Sequence, residues 1–348
     1  MRWCLVMLLH RVWRAVVVNV YMDTLTEDFN AQVPSLKKCY KDLSVAMHTA
    51  NADTVLFDKI IMEKKVEKNL GIQKENLRLL VENDGFEFSE VDDLGKITKN
   101  DSYIDIHIDE VLALDLVDAD IIKKANFKVV VDGVNSTGGI AIPLLLERLG
   151  VHTVKLYCEP NGEFPHNPEP LKEHLGDLAK SVIDNHADFG IVVDPDVDRL
   201  ALISEDGSMF GEEYTLALAV DYFLQSHKGK VVVNVSTSRV IDDIASKHQC
   251  EVERTRVGEI NVAKHMRQIK AAIGGEGNGG VILPDVHLGR DAIVAATMVL
   301  QHLVDFGGPV SALHQSLPQY VMCRRKIEIR DRSDIPVLLN KIRDRYKN

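Results

Sequence analysis

The sequence predicts an α/β protein made of tandem three-layer α/β domains, with an irregular N-terminal region. From about residue 126 onward, short apolar runs rich in β-branched residues alternate with longer amphipathic stretches, the pattern of strands alternating with helices. The chain has 348 residues, a length that fits about two to three domains. Residues 1–75 show helical patches but no such alternation.

The first predicted α/β domain covers residues 109–207. The apolar run 127–131 predicts a strand that ends in a glycine-containing turn, and the amphipathic stretch 142–149 predicts a helix. Prolines mark the start of the next helix, whose apolar residues recur at helical spacing: Leu171, Leu175, Leu178 and Val182. Two further apolar runs predict buried strands on either side of a short acidic loop, at 189–193 and 200–203.

The second predicted α/β domain covers residues 208–318. The same periodicities predict, in order, helix 213–225, strand 230–235, a helix running towards Cys250, helix 258–269, strands 271–275 and 281–283, and helix 291–304. The segment 236–238 is expected to cap the helix that follows it. Residues 319–348 begin with a basic stretch and then read as an opening strand and helix, so boundaries are expected near residues 108, 207 and 318.

The composition is that of a globular protein and excludes several functional classes. Lys and Arg number 41 and Asp and Glu number 52, so the net charge of −11 makes the chain a poor electrostatic match for nucleic acid. The five cysteines lie far apart and form no CxxC pair. This spacing argues against a disulfide framework or a thiolate zinc site and favours a reducing cytoplasm.

The N-terminus has a faint likeness to a signal peptide, because Arg2 precedes the apolar run 4–9. His10, Arg11 and Arg14 interrupt that run, and no small-x-small cleavage motif follows. The run is also far too short to span a bilayer, and no other stretch approaches the length of a transmembrane helix. We expect a cytoplasmic protein without a membrane role, with an export or membrane role as the open alternative.

The sharpest chemical feature is the loop Asp194-Pro-Asp196-Val-Asp198-Arg199 between two apolar runs. Three carboxylates at alternate positions of a tight loop concentrate negative charge, an arrangement that favours a hard divalent cation as partner. A calcium-binding EF-hand fails as an explanation. Arg199 occupies its sixth position, where glycine is needed, although Glu205 does fall at the twelfth. A solvated acidic turn without a ligand is the other interpretation.

A second feature is the glycine-rich loop Gly274-Gly-Glu276-Gly-Asn278-Gly-Gly280. Glycines let the backbone approach a ligand closely, and Glu276 and Asn278 offer acceptors and a donor that suit sugar hydroxyls. Simple loop geometry explains the glycines equally well.

Other segments carry weaker signals. The turn 132–139 opens a predicted helix, where a phosphate could bind, but capping of the helix by Asn135 or Ser136 is the preferred interpretation. Three charged segments are each compatible with an ordinary loop end when taken alone: Gly211-Glu-Glu213, Arg256-Val-Gly258-Glu259 and Gly289-Arg290-Asp291.

Taken together and in this order, the segments between about residues 106 and 318 resemble the central domains of the α-D-phosphohexomutases, the phosphoglucomutase and phosphomannomutase family. The matching segments are DGVNSTGG, EPNGEFPHNPEP, DPDVDR, GEEYTL, RVGEIN, GEGNGG and GRDAIV. The family often has glycine where Pro195 and Val197 stand, and more often Ser and His where Asn278 and Gly280 stand. These differences are interpreted as subfamily variation.

The resemblance implies tandem α/β domains of the phosphohexomutase type and a Mg²⁺-dependent exchange of phosphate between positions 1 and 6 of a hexose. In this family a phosphoserine donates its phosphoryl group to a hexose phosphate, and a hexose 1,6-bisphosphate is the intermediate or activator. The resemblance implies that Mg²⁺ is held by Asp194, Asp196 and Asp198, with Arg199 beside it as a fixed cation. It implies that the hexose phosphate is contacted by Glu276, Asn278, Arg256, Lys264 and Arg290.

The two ends of the chain depart from the family pattern. The family's phosphoserine loop reads close to Thr-Ala-Ser-His-Asn-Pro, a string that this sequence does not contain. The single Ser-His pair, Ser226-His227, ends a helix after the acidic loop and is rejected as the nucleophile. Only residues 77–99 resemble the first domain, so residues 1–108 are interpreted as a divergent or remnant first domain, and residues 319–348 as the start of a truncated fourth domain.

Three hypotheses follow from these departures. The chain is a truncated or mis-joined phosphohexomutase with impaired activity, an active enzyme with a substitute nucleophile in its N-terminal region, or a non-catalytic hexose-phosphate-binding or regulatory protein that keeps Mg²⁺. The loops do not identify the preferred hexose among glucose, mannose and glucosamine phosphates. The sequence is also silent on the oligomeric state.

Overall fold

The structure of the chain is a computed structural model that describes residues 102–321 and 334–345. The expected remnant first domain falls almost entirely outside these residues, as does the strand expected at the start of the last segment. The chain divides into two compact units, Met1–Pro318 and Gln319–Asn348. The predicted domain boundaries at residues 108 and 207 stay predictions, and a helix, Tyr103–Leu112, runs across the first of them.

The first α/β domain is built on a four-stranded sheet in the order β2-β1-β3-β4. Its strands are β1 (Lys128–Asp132), β2 (His152–Leu156), β3 (Phe189–Val193) and β4 (Leu200–Ser204). The first three are parallel, and β4 is antiparallel to β3. Its helices are α1 (Tyr103–Leu112), α2 (Ala119–Ala125), α3 (Gly138–Arg148) and α4 (Gly176–Asp184).

The two faces of this sheet are covered by different helices because side chains alternate along each strand. Val129 and Val131 of β1 belong to a core that includes residues of α3, whereas Val130 packs into a smaller core with Leu178 and Val182 of α4. The predicted three-layer arrangement is therefore confirmed for this domain.

The second α/β domain repeats the same topology, with a sheet in the order β6-β5-β7-β8. Its strands are β5 (Val231–Asn234), β6 (Val252–Thr255), β7 (Ile273–Glu276) and β8 (Gly280–Ile282). Again three strands are parallel and the last one, β8, is antiparallel to its neighbour. Its helices are α5 (Glu212–Ser226), α6 (Val240–Lys247), α7 (Glu259–Ile269), α8 (Ala292–Phe306) and α9 (Val310–Ser316).

Helices α5 and α8 join the two domains into one core. Each is buried over most of its length, and each packs against strands of both sheets as well as against the other. Among the described residues no single helix is long and apolar enough to cross a membrane; α8 and α9, bent by 88°, satisfy that test only as a pair, by length and composition.

Two local expectations need correction or refinement. The helix expected to carry Leu171 and Leu175 begins only at Gly176. Leu171, which follows Pro170, has an extended backbone, and a short 3₁₀ turn, Lys172–His174, separates it from the helix. Leu175 is buried in the smaller core nonetheless. The expectation that 236–238 caps α6 is wrong, because the cap position is Arg239 and no side chain accepts a capping hydrogen bond there. The Ser238 hydroxyl, one residue earlier, accepts a hydrogen bond from the Val240 amide at 3.3 Å.

The second compact unit is described only in part. Its described helix is α10 (Asp334–Arg345), which has Arg343 and Arg345 in its last turn. This is the helix that the sequence predicted after residue 318.

Candidate active site

The two chemistry-bearing loops occupy equivalent positions in the repeated sheets. The acidic loop 194–199 joins β3 to β4, and the glycine-rich loop 277–279 joins β7 to β8. In each sheet the loop connects the last parallel strand to the antiparallel edge strand. The Leu200 amide donates a hydrogen bond to the carbonyl of Gly279 at 3.1 Å, so the backbone joins the glycine-rich loop to the start of β4, directly after the acidic loop.

The acidic loop brings three carboxylates together, since oxygen atoms of Asp194, Asp196 and Asp198 lie within 4.8 Å of one another. Asp194 and Asp198 are buried and Asp196 is half-buried. Burial, followed by the charges of neighbouring aspartates, raises the pKa of both Asp194 and Asp198 above the ordinary range. The buried Oδ1 of Asp198 accepts no hydrogen bond from a described residue. The cluster therefore carries negative charge that the protein only partly compensates.

Asp194 is also the scaffold of its loop. Its Oδ1 accepts hydrogen bonds from the amides of Asp198 at 3.1 Å and Arg199 at 3.0 Å, and its Oδ2 accepts one from the Arg199 Nε at 2.6 Å. Burial alone would lower the pKa of Arg199, but the Asp194 carboxylate outweighs it and holds that pKa above its usual value. Arg199 is thus a fixed cation beside the carboxylates.

The position of Glu205 removes the EF-hand alternative on structural grounds as well. Its carboxylate accepts hydrogen bonds from the amide of Ser311, at 3.1 Å, and from the Ser311 hydroxyl. Strands β3 and β4 flank the acidic loop, whereas an EF-hand needs two helices.

The glycine-rich loop holds Glu276 in a buried position with both carboxylate oxygens engaged. Its Oε1 accepts hydrogen bonds from the Asn234 side chain at 2.7 Å and from the Gly258 amide at 3.2 Å. Asn278 lies beside it, with its amide nitrogen 3.4 Å from the Glu276 Oε2, and is only half-buried. Glu276 and Asn278, which the sequence placed in one site, are therefore neighbours.

Sequence reasoning missed the residues that support this loop. Asn234, at the end of β5, accepts hydrogen bonds from the amides of Ser236 and Thr237, each at 3.0 Å. The Thr237 hydroxyl in turn accepts one from the amide of Gly277 at 3.0 Å. A polar residue at the carboxyl end of a parallel strand is a signal for a site residue, and Asn234 carried that signal.

Arg290 connects the two loops through its guanidinium group. Its Nη1 donates to the Glu276 Oε2 at 2.9 Å, and its Nη2 donates to the Oδ2 of Asp198. Glu259 completes its surroundings, with the Glu259 Oε2 3.4 Å from the Nε. Burial would lower the pKa of Arg290, but these three carboxylates outweigh it and raise that pKa. One side chain thus spans the acidic loop of the first domain and the glycine-rich loop of the second.

The other two predicted substrate contacts lie at the edge of this arrangement. Arg256 precedes α7 and Lys264 lies on that helix, and both are exposed. Neither side chain forms a hydrogen bond or ion pair with a described residue of the two loops. Their predicted roles stay predictions.

The expectation that Asn135 or Ser136 caps α3 is wrong. The cap position is Thr137, and no side chain accepts a hydrogen bond there. The Ser136 hydroxyl instead donates to the carbonyl of Pro195 in the acidic loop at 2.9 Å, and the side-chain Nδ2 of Asn135 donates to the carbonyl of Glu163 at 3.1 Å. This turn therefore braces the acidic loop and the segment that follows β2.

A second contact anchors that segment to β1. His166 donates from its Nε2 to the buried carboxylate of Asp132 at 2.9 Å, and its Nδ1 lies 2.8 Å from the carbonyl oxygen of Asn167. Both partners are acceptors, so the arrangement favours the imidazolium form, which carries two donors. The hydrogen bond to Asp132 raises the pKa of His166, and partial burial opposes it only in part.

A pH-dependent stability follows from this pair. The pKa of His166 is higher in the folded than in the unfolded protein. The charged imidazole therefore stabilises the folded state fully at pH values below the pKa of the unfolded state, and this stabilisation is lost as the pH rises through the pKa of the folded state. We expect His166→Asn to lower the free energy of unfolding more at about pH 5.5 than at about pH 8.5. Urea denaturation at the two pH values measures this difference, and equal losses at both would contradict the assignment.

Family models confirm the resemblance that the sequence motifs indicated. The model described as phosphoglucomutase/phosphomannomutase, alpha/beta/alpha domain II matches residues 105–207. The corresponding model for alpha/beta/alpha domain III matches residues 211–320. Both chemistry-bearing loops lie inside these matches.

Two relatives agree with this result. A "Probable phosphoglucosamine mutase" of Methanopyrus kandleri is 33% identical over 261 residues, which are 74% of this chain and 56% of the relative. A "Phosphoglucomutase/phosphomannomutase" of Thermococcus kodakarensis is 35% identical over 269 residues, 76% of this chain and 58% of the relative. The chain thus spans somewhat more than half the length of these relatives.

A solved structure shows the same fold. The crystal structure of a phosphoglucomutase/phosphomannomutase family protein from Burkholderia thailandensis matches with a TM-score of 0.61 at 24% identity, covering 72% of this chain and 53% of that one. The motifs, the duplicated sheet topology and the two domain matches lead to one conclusion. The chain belongs to the α-D-phosphohexomutase family, and residues 105–207 and 211–320 are the second and third α/β/α domains of that family.

Proposed function

We propose that this chain binds Mg²⁺ through Asp194, Asp196 and Asp198 and a hexose phosphate beside Glu276 and Asn278. Its role would be the exchange of phosphate between positions 1 and 6 of the hexose, through a hexose bisphosphate. The observation that carries the proposal is the Arg290 bridge, in which one side chain contacts both the acidic loop and Glu276 of the glycine-rich loop. A ligand with a phosphate at one end and hydroxyls at the other suits such a site.

The residues present fit a magnesium ion. Three carboxylates supply the hard oxygen ligands that Mg²⁺ prefers. The buried Oδ1 of Asp198 accepts no hydrogen bond from a described residue, and its ion pair with the Arg199 Nε is long, at 3.6 Å, so this oxygen would serve as a ligand. When bound, the cation would neutralise charge on the phosphoryl group in transfer. We also propose a cytoplasmic location, which the unpaired thiols of Cys158 and Cys250 support.

The protein side chains would position the substrate around this centre. Arg199, anchored by Asp194, would present a fixed positive charge next to the phosphoryl group. Asn278 would donate a hydrogen bond to a sugar hydroxyl from its half-buried amide, and Glu276 would accept one. Arg256, which precedes α7, and Lys264, which lies on it, are exposed cations and would add contacts to the hexose phosphate.

A non-catalytic hexose-phosphate-binding role is the second candidate, favoured by the lack of a Ser-His-Asn-Pro string in the 348 residues. A coupled mutase assay with Mg²⁺, a trace of glucose 1,6-bisphosphate and glucose 1-phosphate or mannose 1-phosphate separates the two. Turnover above a control with Asp194, Asp196 and Asp198 all changed to Asn would support the enzyme and a nucleophile in the N-terminal region. Hexose-phosphate binding without turnover would support the binding role.

The metal assignment has its own test in Asp196→Asn. Asp196 is half-buried, whereas Asp194 organises the backbone of the loop, so this change removes a ligand charge and leaves that scaffold in place. We expect the Mg²⁺ affinity measured by calorimetry to fall by at least about tenfold, since even outer partners of metal ligands contribute that much. Asp206→Asn is the control, because Asp206 lies in the next turn and binds the Ser208 amide. Unchanged Mg²⁺ affinity in Asp196→Asn would overturn the assignment.

A further inference from the structure

A buried polar cluster lies outside both loops, at the start of α8. Its members are His107 of α1, His287 and Asp291, with exposed fractions of 1%, 6% and 2%. The Asp291 Oδ2 lies 2.7 Å from the His107 Nε2 and 2.9 Å from the His287 Nε2. Its Oδ1 caps α8 by accepting hydrogen bonds from the amides of Ile293 and Val294. All of this carboxylate's bonding capacity is therefore used inside the protein.

The hydrogen bonds identify this cluster as a structural triad, although two histidines and an aspartate could also hold a metal. The Gly289 amide donates to the His287 Nδ1 at 2.9 Å, so that nitrogen carries a lone pair and the proton lies on Nε2. A protonated Nε2 donates to Asp291 and is not available as a metal ligand. Burial would raise the pKa of Asp291, but the two histidines outweigh it and hold that pKa well below its usual range.

The residues on either side of Asp291 both contact the acidic loop. Arg290 donates to the carboxylate of Asp198, and the amide of Ala292 donates to the carbonyl of Val197 at 3.0 Å. The Asp291 amide itself donates to the carbonyl of Val281 in β8 at 2.9 Å. Arg290 and Ala292 thus form a clamp on the acidic loop, and the triad fixes Asp291 between them.

We propose that Asp291 is a positioning residue that, held by His107 and His287, fixes Arg290 and Ala292 against the acidic loop and so sets the geometry of the cation site. The expected effect on Mg²⁺ binding rests on the proposed function. The contacts that form the clamp do not depend on any ligand. His107 lies on α1 of the first domain and Asp291 lies in the second domain, so the triad also connects the two domains next to the site.

The isosteric change Asp291→Asn tests the proposal. The introduced amide keeps an oxygen that caps α8 equally well, but its NH₂ group faces the two histidine nitrogens that now donate. His287 has no alternative, because its Nδ1 already accepts from Gly289. Asp118→Asn is the matched control, since Asp118 caps α2 by accepting from Ile121 at 3.0 Å without a histidine partner.

Two readouts separate the clamp from the function. Hydrogen exchange of the apo protein is expected to accelerate by about tenfold or more in residues 194–199 of Asp291→Asn, through local opening, and to stay unchanged there in Asp118→Asn. Calorimetry of Asp291→Asn is expected to show about tenfold weaker Mg²⁺ binding. Unchanged exchange in that loop, even with a lower melting temperature, would overturn the positioning role. A wild-type protein without Mg²⁺ affinity would instead overturn the proposed function.

A second pair of variants keeps the proposal testable if Asp291→Asn does not fold. His107→Leu removes one donor to Asp291, whereas His107→Gln retains an amide donor. We expect faster exchange in residues 194–199 of His107→Leu and recovery towards the wild-type rate in His107→Gln. Equal exchange in all three proteins would show that the triad does not hold the acidic loop.

Discussion

Gly279→Ala is expected to be among the most damaging single changes in the described part of the chain. Gly279 has φ of +92°, a conformation that L side chains rarely adopt. An added Cβ would lie 3.1 Å from the backbone carbon and nitrogen of Leu200 and closer still to its carbonyl oxygen. The left-handed backbone costs about 1–2 kcal/mol, and the collision adds about 1–3 kcal/mol. Urea denaturation should therefore show a loss of at least about 2 kcal/mol in the free energy of unfolding.

Gly162→Ala is the matched control for this change. Gly162 also has positive φ, +77°, but no atom lies within 4 Å of the position that a Cβ would occupy. Only the backbone cost of about 1–2 kcal/mol is expected there. The difference between the two variants isolates the contact between the glycine-rich loop and β4, where the Leu200 amide binds the Gly279 carbonyl. Equal losses in both variants would contradict this close approach.

Local patterns in the sequence were sufficient to predict the elements and the two loops. Runs such as 127–131 and 189–193 are β-branched and apolar because the strands are buried on both faces, and the structure confirms them as β1 and β3. The acidic and glycine-rich loops were likewise predicted at the ends of buried strands. Both predictions depend on residues that are close together along the chain.

Contacts between distant parts of the chain were beyond local reasoning. The His107–Asp291 pair spans 184 residues and the Arg290–Asp198 pair spans 92, and no periodicity reports such contacts. The expected capping role of Asn135 failed for the same reason, since a loop 28 residues away provides its partner, the Glu163 carbonyl. Capping preference is a local tendency, and a tertiary hydrogen bond overrode it.

Arg290→Met is expected to cause the other large loss of stability. The change keeps an apolar stem of similar length but leaves the buried carboxylates of Asp198 and Glu276 without their shared cation. Removal of one partner of a buried ion pair lowers the free energy of unfolding by about 3–5 kcal/mol, because an uncompensated charge remains in the interior. Arg148→Met is the control, since Arg148 pairs with the exposed carboxylates of Asp105 and Asp109 and such pairs contribute little.

Magnesium gives this variant a second, distinguishing readout. A cation held by the three aspartates would restore positive charge beside Asp198, which is the charge that Arg290→Met removes. In this variant Asp291 stays in place and the Ala292 amide still binds the Val197 carbonyl of the acidic loop, so the lost charge is the dominant change. Binding to the folded state stabilises it by mass action, so saturating Mg²⁺ should raise the melting temperature of Arg290→Met more than that of the wild-type protein or of Arg148→Met. Equal Mg²⁺-induced shifts in all three would mean that the cation does not sit next to Asp198. The bridge between the two loops would then be a purely structural ion pair.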